Sequence, residues 1–399
     1  MRPFTSTIPF ADALKLALTA TAPLSRTEHV DLRSADGRVV AHDVVSALDV
    51  PPFDRAAMDG YAVRSQDFAG AATAGPLRCV GRVFTGEVLE RALESGECIE
   101  IATGAPIPSG ADAVIMVEDT DRRDALITFR APVKPGQNIG RRAADIRIGD
   151  VVVSRGQVLT PSRIGALAAT GHTSVEVLAK PSVAILSTGN EVVEPGQPLA
   201  PGQIYDINRF TLESVVRRHG GTAVPLPATG DSIDELKSML DTASAHDLIV
   251  FSGGSSVGER DLVRDVITAR GQMLFHGIAV KPGKPTAFAR IGASLFLGMP
   301  GNPTSCLSNA YILLVPILRK LAGLPAWEPR TITVPLARRI VSTTDRHQFY
   351  TVRLVDGRAE PAFKGSGDIT SMANADGYME IPAATSSVEA GTMVTVTLF

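Results

Sequence analysis

Apolar residues recur at helical spacing near the start of the chain. The stripe that they form comprises Phe10, Leu14, Ala17 and Leu18. Thr7 stands just before this stripe, where a side chain can cap the first turn of a helix. Between residues 53 and 140 the pattern changes to short apolar runs separated by Gly, Pro and Asp, which is typical of β structure. The sequence thus predicts an initial helix followed by a β-rich segment.

After Pro181 the chain alternates between short apolar runs and amphipathic stretches. The apolar runs predict strands at 182–186, 222–225 and 248–251. The amphipathic stretches predict a helix at 209–219, a helix that opens with the capping box of Ser232 and Glu235, and a helix at 304–321 bent at Pro316. This order predicts a doubly wound α/β domain with a parallel sheet. Past Trp327 the pattern returns to β, with a hairpin turn at 355–358, which predicts a small C-terminal β domain.

Length and composition limit the class of protein. At 399 residues the chain exceeds the roughly 250–300 residues that one core accommodates, so we expect at least two domains. A net charge of -3 argues against a nucleic acid as the main partner. The three cysteines lack CxxC spacing, which disfavours a disulfide framework or a zinc site. The first ten residues do not resemble a secretory signal and no apolar stretch is long enough for a membrane helix, so we expect a soluble cytoplasmic protein.

Three turns follow the predicted strands, where open α/β sheets bind ligands, at Ser187–Glu191, Thr229–Asp231 and Ser252–Asp261. Each combines small residues, whose N–H and O–H groups can cradle a phosphate, with a carboxylate, which suggests a divalent cation such as Mg²⁺. Ordinary turns with Asp as a helix cap are the alternative for any one of them alone. No GxxxxGK[ST] loop occurs, so a P-loop NTPase is disfavoured.

A second group of candidate anion ligands lies further along the chain. Lys281 and Lys284 stand on a loop stiffened by Pro and Gly, which presents fixed positive charge at small entropic cost. The turn that contains Pro300 and Pro303 then leads into the last helix, whose N-terminus favours anions. The alternative is a solvated surface loop. No histidine pair with metal-ligand spacing and no GxSxG motif offers a different chemistry.

Read together, seven motifs resemble those of one family. In chain order they are Met58–Ala62, Ala102–Ala105, Ser187–Glu191, Gly202–Asn208, Ser252–Asp261, Lys281–Pro285 and Met299–Pro303. The chain resembles the MoeA family of molybdopterin molybdenumtransferases, which is related to the E domain of gephyrin, over essentially its whole length.

The resemblance implies a multidomain architecture of α/β and β parts. It implies a MogA/MoaB-like doubly wound α/β domain at 1–26 and 178–327, and a discontinuous linker domain at 27–50 and 141–177. An inserted β domain would occupy 51–140 and a C-terminal β domain 328–399. It further implies an elongated homodimer, with the site where the inserted domain of one subunit faces the α/β domain of the other.

The implied reaction inserts molybdate into adenylylated molybdopterin, with Mg²⁺-dependent release of AMP to give molybdenum cofactor. The residues expected to be catalytic are Asp59, Thr103, Glu191, Asp231 and Asp261, and Glu191, Asp231 and Asp261 are also the expected Mg²⁺ ligands. The expected substrate-binding residues are Ser187, Thr188, Gly253, Gly254, Ser256, Lys281, Lys284, Pro300, Pro303 and Ser371. The expected partners are an upstream adenylyltransferase and molybdoenzyme apoproteins or chaperones, with no nucleic acid and no membrane.

The chain departs from the family pattern at two positions. Ala56 stands where a Ser is common, and Thr351 stands where an Arg is frequent. Two other functions stay open. An adenylyltransferase that acts one step earlier would need only the middle domain, and a non-catalytic scaffold like gephyrin would not need the carboxylates. Tungstate in place of molybdate is a further possibility for the substrate.

Overall fold

The computed structural model describes residues 7–69, 75–130, 133–189, 191–227, 233–253 and 262–399. The chain forms two units. The first consists of Met1–Glu28, Gly37–Val39 and Val177–Phe399, and the second of His29–Asp36 and Val40–Glu176. Within the described ranges no helix has both the length and the apolar character needed to cross a membrane.

The described residues contain α-helices in both units, and most of them belong to the first. They are α1 (Phe10–Ala20), α2 (Pro161–Ala169), α3 (Asn208–Arg218), α4 (Ile233–Ala243), α5 (Leu262–Arg270), α6 (Pro303–Asn309), α7 (Val315–Leu321) and α8 (Thr370–Ala373). The predicted helix at the start of the chain is confirmed as α1. Its predicted cap at Thr7 is wrong, because Pro9 occupies the N-cap position and no side chain caps the helix.

The strands are given in chain order. Those up to residue 178 are β1 (Thr27–Asp31), β2 (Val44–Val45), β3 (Arg55–Ala56), β4 (Gly60–Val63), β5 (Leu77–Val83), β6 (Glu97–Ile101), β7 (Ala113–Met116), β8 (Thr120–Arg123), β9 (Leu126–Phe129), β10 (Ile139–Gly140), β11 (Val151–Val153) and β12 (Ser174–Leu178). The next are β13 (Ser182–Ser187), β14 (Val192–Val193), β15 (Ile204–Tyr205), β16 (Thr222–Pro225), β17 (Leu248–Ser252), β18 (Gln272–His276), β19 (Val280–Lys281), β20 (Ala287–Ile291) and β21 (Ser294–Met299). The last are β22 (Thr331–Pro335), β23 (Ile340–Val341), β24 (His347–Val355), β25 (Arg358–Pro361), β26 (Gly377–Ile381), β27 (Ser387–Val388) and β28 (Met393–Leu398).

The α/β part of the first unit is built on a six-stranded sheet of order β16-β13-β17-β21-β20-β18. The first four strands are parallel, as the sequence predicts. The sequence did not predict β20 and β18, which extend the sheet and run antiparallel to their neighbours. A tight turn at Gly292, with φ +58°, reverses the chain between β20 and β21, so no helix intervenes there.

Helices cover both faces of this sheet. Side chains of α3 and α7 pack on one face, where Leu212, Val216 and Leu318 are fully buried. Side chains of α4 and α5 pack on the other face, where Leu240 and Ile267 are buried. Because both faces are covered, the central strands are apolar along their whole length rather than alternating. The doubly wound arrangement is therefore confirmed.

The last long helix of the α/β part is interrupted, close to where the sequence predicts a bend. A π-helical turn at Ala310–Leu314 separates α6 from α7, and Pro316 lies in the first turn of α7. Proline lacks an amide hydrogen, so the preceding turn loses one regular hydrogen bond and widens there. The interruption leaves α6 as a short helix of its own at the edge of the sheet.

The C-terminal residues form a β layer, as predicted. Its main sheet has the order β19-β24-β26-β28-β22, with β25 also paired to β24. Asp356 and Gly357 both have positive φ, which confirms the predicted hairpin between β24 and β25. β19 comes from the α/β part of the chain, and its Val280 pairs with His347 of β24. Lys281 is thereby fixed to the C-terminal sheet.

The second unit has a six-stranded sheet of order β7-β4-β6-β5-β9-β8, which confirms the β character predicted for this region. One of its apolar clusters contains Tyr61, Ile115 and Phe129, and the other contains Ile99 and Val114. Gly60 begins β4 where a Cβ atom would lie only 1.8 Å from the carbonyl oxygen of Ile115. Only glycine fits at that position, directly beside Asp59.

Candidate active site

Three parallel strands of the α/β sheet end side by side. Ser187 at the end of β13 pairs with Ser252 at the end of β17, and Ser252 pairs with Met299 at the end of β21. The turns that follow these strands therefore meet at the carboxyl edge of the sheet, where open α/β sheets bind ligands. The sequence predicts that its three turns meet there. The structure confirms this for the first turn and for the third as far as Gly253, and the second turn, Thr229–Asp231, lies outside the described residues.

A small cavity of about 170 Å³ opens at this edge. Its wall includes four predicted residues, namely Ser187, Thr188, Glu191 and Pro303. The Ser187 and Thr188 hydroxyls are buried, and neither has a hydrogen-bond partner among the described residues. A buried hydroxyl without a partner is costly, so both are suited to a ligand that supplies the missing hydrogen bonds.

Gly253 packs by direct backbone contact against Thr188, a residue of this cavity's wall. Its φ is +112°, and a Cβ atom there would lie 2.4 Å from the carbonyl oxygen of Thr188. Gly301 also lies close to Gly253, because a Cβ atom added at Gly301 would be 3.6 Å from the Gly253 Cα. The close approach requires glycine at position 253.

A larger cavity of about 560 Å³ adjoins the first, and Gly301 and Asn302 line both. Three predicted residues lie in its wall, namely Lys281, Lys284 and Pro300. Arg346 and Lys364, which the sequence did not single out, add two further cations. Four cationic side chains around one cavity make it a site for an anion.

The loop that carries the two lysines is held by a buried asparagine. Asn309 of α6 donates from Nδ2 to the Gly283 carbonyl oxygen at 3.0 Å and to Thr286 Oγ1 at 2.6 Å. Thr286 Oγ1 in turn donates to the Gly283 carbonyl oxygen at 2.8 Å. Asn309 is fully buried, so these bonds are shielded from water and fix the loop. The lysines thus extend from a backbone that is already ordered.

Ser371 supports the wall of the larger cavity from behind. It is fully buried, and its hydroxyl accepts a hydrogen bond from the Lys364 backbone N–H at 2.9 Å. The segment after Lys364 is bound to the start of α6, because the Thr304 N–H donates to the Ser366 carbonyl oxygen at 3.1 Å. The structure therefore places Ser371 beneath the cation at position 364, and its direct contact with an oxyanion stays a prediction.

A carboxylate lies beside Arg346, one of the cations of the larger cavity. Asp345 accepts a hydrogen bond from Arg346 Nε at 2.9 Å, and this bond lowers the pKa of the Asp345 carboxyl below its ordinary value. The positive charges of Arg346 and Lys284 lower that pKa further. Asp345 therefore stays ionised at neutral pH and offsets part of the positive charge, without lining the cavity itself.

In the second unit, Asp59 and Thr103, two of the residues predicted to be catalytic, form a hydrogen-bonded pair. The Thr103 N–H and its hydroxyl donate to Asp59 Oδ1 at 2.7 and 2.9 Å. These two bonds stabilise the carboxylate and lower the pKa of Asp59 below its ordinary value. Ala56, where the family commonly has Ser, is buried among apolar neighbours of the same unit.

Several predicted residues lie outside the described part of the chain, namely Asp231, Gly254, Ser256 and Asp261. The predicted cap of α4 at Ser232 lies outside it as well. Glu191 is described and is exposed at the smaller cavity. In the described ranges no group of three or more His, Cys, Asp or Glu side chains is arranged to hold a metal ion. Thr351 is buried, and its hydroxyl has no hydrogen-bond partner there.

The residues of the two cavities that sequence reasoning missed include Asp206, Asn208, Arg346 and Lys364. Asn208 begins α3, and its Nδ2 donates to Ser252 Oγ at 2.8 Å and to the Gly301 carbonyl oxygen at 2.7 Å. Asn208 could have been predicted as a site residue, because it belongs to the Gly202–Asn208 motif. Arg346 and Lys364 carry no local signal, because only the pairing of β19 with β24 brings their segments to the lysine loop.

The fold and the site together define a class of protein. It is a multidomain chain with a cavity that is lined by cations, suits an anion and lies beside the edge of an α/β sheet. Three family models match it. They describe the MoeA N-terminal region (domain I and II) at residues 8–171, a probable molybdopterin binding domain at 184–320 and the MoeA C-terminal region (domain IV) at 333–399. The chain belongs to the MoeA family.

Known relatives agree with this assignment over almost the whole chain. A molybdopterin molybdenumtransferase of Haemophilus influenzae is 37% identical, and the match covers 94% of each protein. Molybdopterin molybdenumtransferase 2 of Mycobacterium tuberculosis is 34% identical over 92% of this chain and 94% of that protein. The crystal structure of a molybdopterin biosynthesis MoeA protein of Pyrococcus horikoshii superposes with a TM-score of 0.85 at 39% identity, covering 98% of this chain and 99% of that one.

Proposed function

We propose that this protein is a molybdopterin molybdenumtransferase, which inserts molybdate into adenylylated molybdopterin and releases AMP. The observation that carries the proposal is the pair of adjoining cavities at the edge of the α/β sheet. One presents unpartnered hydroxyls beside a glycine backbone, and the other presents four cations. Two anionic reactants, a phosphoanhydride and an oxyanion, would occupy neighbouring positions in such a site.

The larger cavity suits the oxyanion. Lys281, Lys284 and Arg346 extend from backbone that Asn309 and β24 hold in place, so little entropy is lost when they bind an anion. Charge-assisted hydrogen bonds from such cations to oxyanion oxygens are about twice as strong as neutral ones. The chain's contribution to the reaction here is to gather, orient and neutralise molybdate, which is what phosphoryl-type chemistry mainly requires of a protein.

The smaller cavity suits the phosphates of the pterin substrate. Its buried Ser187 and Thr188 hydroxyls have no hydrogen-bond partner among the described residues and can donate to phosphate oxygens. The oxygen-rich donor set, with Glu191 exposed at the wall and the Asp206 carboxylate in it, fits Mg²⁺, which prefers oxygen ligands. We propose Glu191 as one Mg²⁺ ligand, together with Asp231 and Asp261. When bound, the ion would supply positive charge that offsets the phosphate charge.

Further parts of the proposal rest on the family resemblance. We propose a homodimer, in which the Asp59–Thr103 pair of one subunit serves the same reaction as the cavities of the partner. We propose the domain division 1–26 with 178–327, 27–50 with 141–177, 51–140, and 328–399. We further propose that an adenylyltransferase supplies the substrate and that the protein is cytoplasmic. Molybdoenzyme apoproteins or chaperones would accept the product.

The direct test is a single-reaction assay. Purified protein is incubated with adenylylated molybdopterin, Mg²⁺ and molybdate, and released AMP is quantified by chromatography. We expect AMP release that depends on molybdate and that falls by at least tenfold in a Lys281→Gln variant, because one of the four cations is lost. The matched control is Lys237→Gln, which removes an exposed lysine on α4 outside both cavities. AMP release that is equal with and without molybdate would contradict the proposal.

The earlier adenylylation step is the competing reaction. It would consume ATP and leave AMP attached to molybdopterin, so the same assay with ATP and molybdopterin separates the two. The four-cation cavity favours the insertion reaction, because residues of the C-terminal β layer, Arg346 and Lys364, complete it. An adenylyltransferase that consists of the α/β domain alone would not need the cavity wall formed by Arg346 and Lys364.

A further inference from the structure

A separate cavity of about 560 Å³ lies in the C-terminal β layer. Four cationic side chains line it, namely Arg338, Arg339, Arg353 and Lys364. No carboxylate belongs to its described lining. Like charges this close repel one another, so a fold that collects them gains from an anion that binds between them.

The charges of these side chains are only partly balanced. Arg338 Nε lies 3.4 Å from Glu360 Oε2, and Arg339 Nε lies 2.9 Å from Glu389 Oε1. Both ion pairs are largely exposed to solvent, and each arginine contacts its carboxylate through Nε. Because an arginine has five N–H donors, Arg338 and Arg339 both keep donors for another ligand. Two carboxylates thus face four cations.

The other two cations form no ion pair within the described part of the chain. Arg353 is exposed on β24 and has no ion-pair partner in the part of the chain that the structure describes. Its cross-strand neighbour on β25 is Glu360, whose carboxylate pairs with Arg338. Lys364 Nζ donates to the neutral Thr370 Oγ1 at 3.1 Å. The net positive charge of the cavity therefore rests chiefly on Arg353 and Lys364.

The cavity shares a wall with the site already described. Phe363 and Lys364 line both this cavity and the cavity that contains Lys281. The ring of Phe363 packs against Tyr350, with centroids 5.4 Å apart, which holds the shared wall in place. Lys364 stands between the two cavities, where one ammonium group can attract an anion from either side.

We propose that this cavity is a second oxyanion-binding site, in which Arg353 and Arg339 bind a tetrahedral dianion of the molybdate or phosphate type. Because of the shared wall, the site raises the local concentration of molybdate beside the reaction cavity. The binding claim is independent of the proposed function, whereas the role in supplying molybdate rests on it.

Binding is measured on the full chain by equilibrium dialysis against molybdate, with bound molybdenum counted by mass spectrometry. We expect two molybdate ions per wild-type chain and one per Arg353→Gln or Arg339→Gln chain. Arg330→Gln is the matched control, since it removes an exposed arginine of the same β layer outside the cavity and should leave two. Added sulfate or phosphate that displaces one of the two ions would identify a general oxyanion site. Equal molybdate binding by wild type, Arg353→Gln and Arg339→Gln would overturn the proposal.

The supply role is read from kinetics. In the AMP-release assay we expect Arg353→Gln to raise the KM for molybdate by about tenfold with kcat unchanged, since the reaction cavity keeps all its residues. Wild type without any AMP release would refute the proposed function and leave the dialysis result standing. Normal kinetics in a variant that has lost one bound molybdate would refute the supply role alone.

Discussion

At the scale of single residues, Asp59 shows how one neighbour sets the charge state of a candidate catalytic group. Asp59 is exposed, so burial does not determine its ionisation. The Thr103 backbone N–H and hydroxyl both donate to one carboxylate oxygen and stabilise the ionised form. The carboxylate is therefore held in one orientation and remains charged to a lower pH than an ordinary aspartate.

Thr103→Val should raise the pKa of Asp59 without bringing it fully to the ordinary value of about 3.9. The substitution removes the hydroxyl donor, but the backbone N–H, the larger cause of the shift, remains. The stabilising contribution of the pair is present above the ordinary pKa and is lost as pH falls through the folded-state pKa, so the variant loses it at a higher pH. Titration by carboxyl ¹³C NMR measures the shift, with Thr128→Val, an exposed hydroxyl in the same unit, as the control. An unchanged Asp59 pKa would refute this account.

At the scale of elements, strand ends were predictable and the completed cavity was not. Strands β13 and β17 are continuous apolar runs followed by glycine turns, so both their positions and their meeting at one sheet edge follow from the sequence. Arg346 and Lys364 join the lysine loop only because β19 leaves the α/β part to pair with β24. No periodicity encodes a pairing between strands more than sixty residues apart. The antiparallel β18 and β20 were not predicted either, although only a short turn at Gly292 joins β20 to β21.

The lysine loop depends on the absence of a side chain at position 283. Gly283 has φ +110°, and an added Cβ would lie 2.3 Å from Asn309 Oδ1. Gly283→Ala should therefore lower the free energy of unfolding by about 3 kcal/mol or more, by strain and by displacing Asn309. Gly292→Ala is the matched control, since φ there is +58° with open space around the Cβ position, and it should cost about 1 kcal/mol.

Urea unfolding gives both free energies, and the AMP-release assay gives the functional effect. Because Gly283 and Asn309 fix the backbone between the two lysines, Gly283→Ala should also raise the KM for molybdate. Gly292→Ala should leave that KM unchanged, since its turn lies outside the cavities. Equal effects of the two substitutions on both quantities would show that the packing against Asn309 does not hold the loop.

At the scale of the whole molecule, overall charge conceals how the chain handles anions. The net charge is -3, yet four cations surround the proposed reaction cavity and four surround the neighbouring cavity, with Lys364 common to both. Carboxylates such as Asp345 and Glu389 lie outside the cavity linings, where they balance charge without occupying the space of the anion. A small oxyanion therefore meets a locally positive surface on a negatively charged protein.

The proposed homodimer leads to a test that uses two inactive variants together. Asp59→Asn and Lys281→Gln affect different units of the chain, and each alone should abolish most AMP release. If Asp59 of one subunit serves the same reaction as Lys281 of the partner subunit, every mixed dimer has one site with both residues intact. A mixture refolded from equal amounts, in which random pairing makes half the dimers mixed, should regain about a quarter of wild-type activity. Light scattering should give twice the chain mass of 42.0 kDa. A dimer of that mass whose mixtures stay inactive would mean that Asp59 and Lys281 act within one chain.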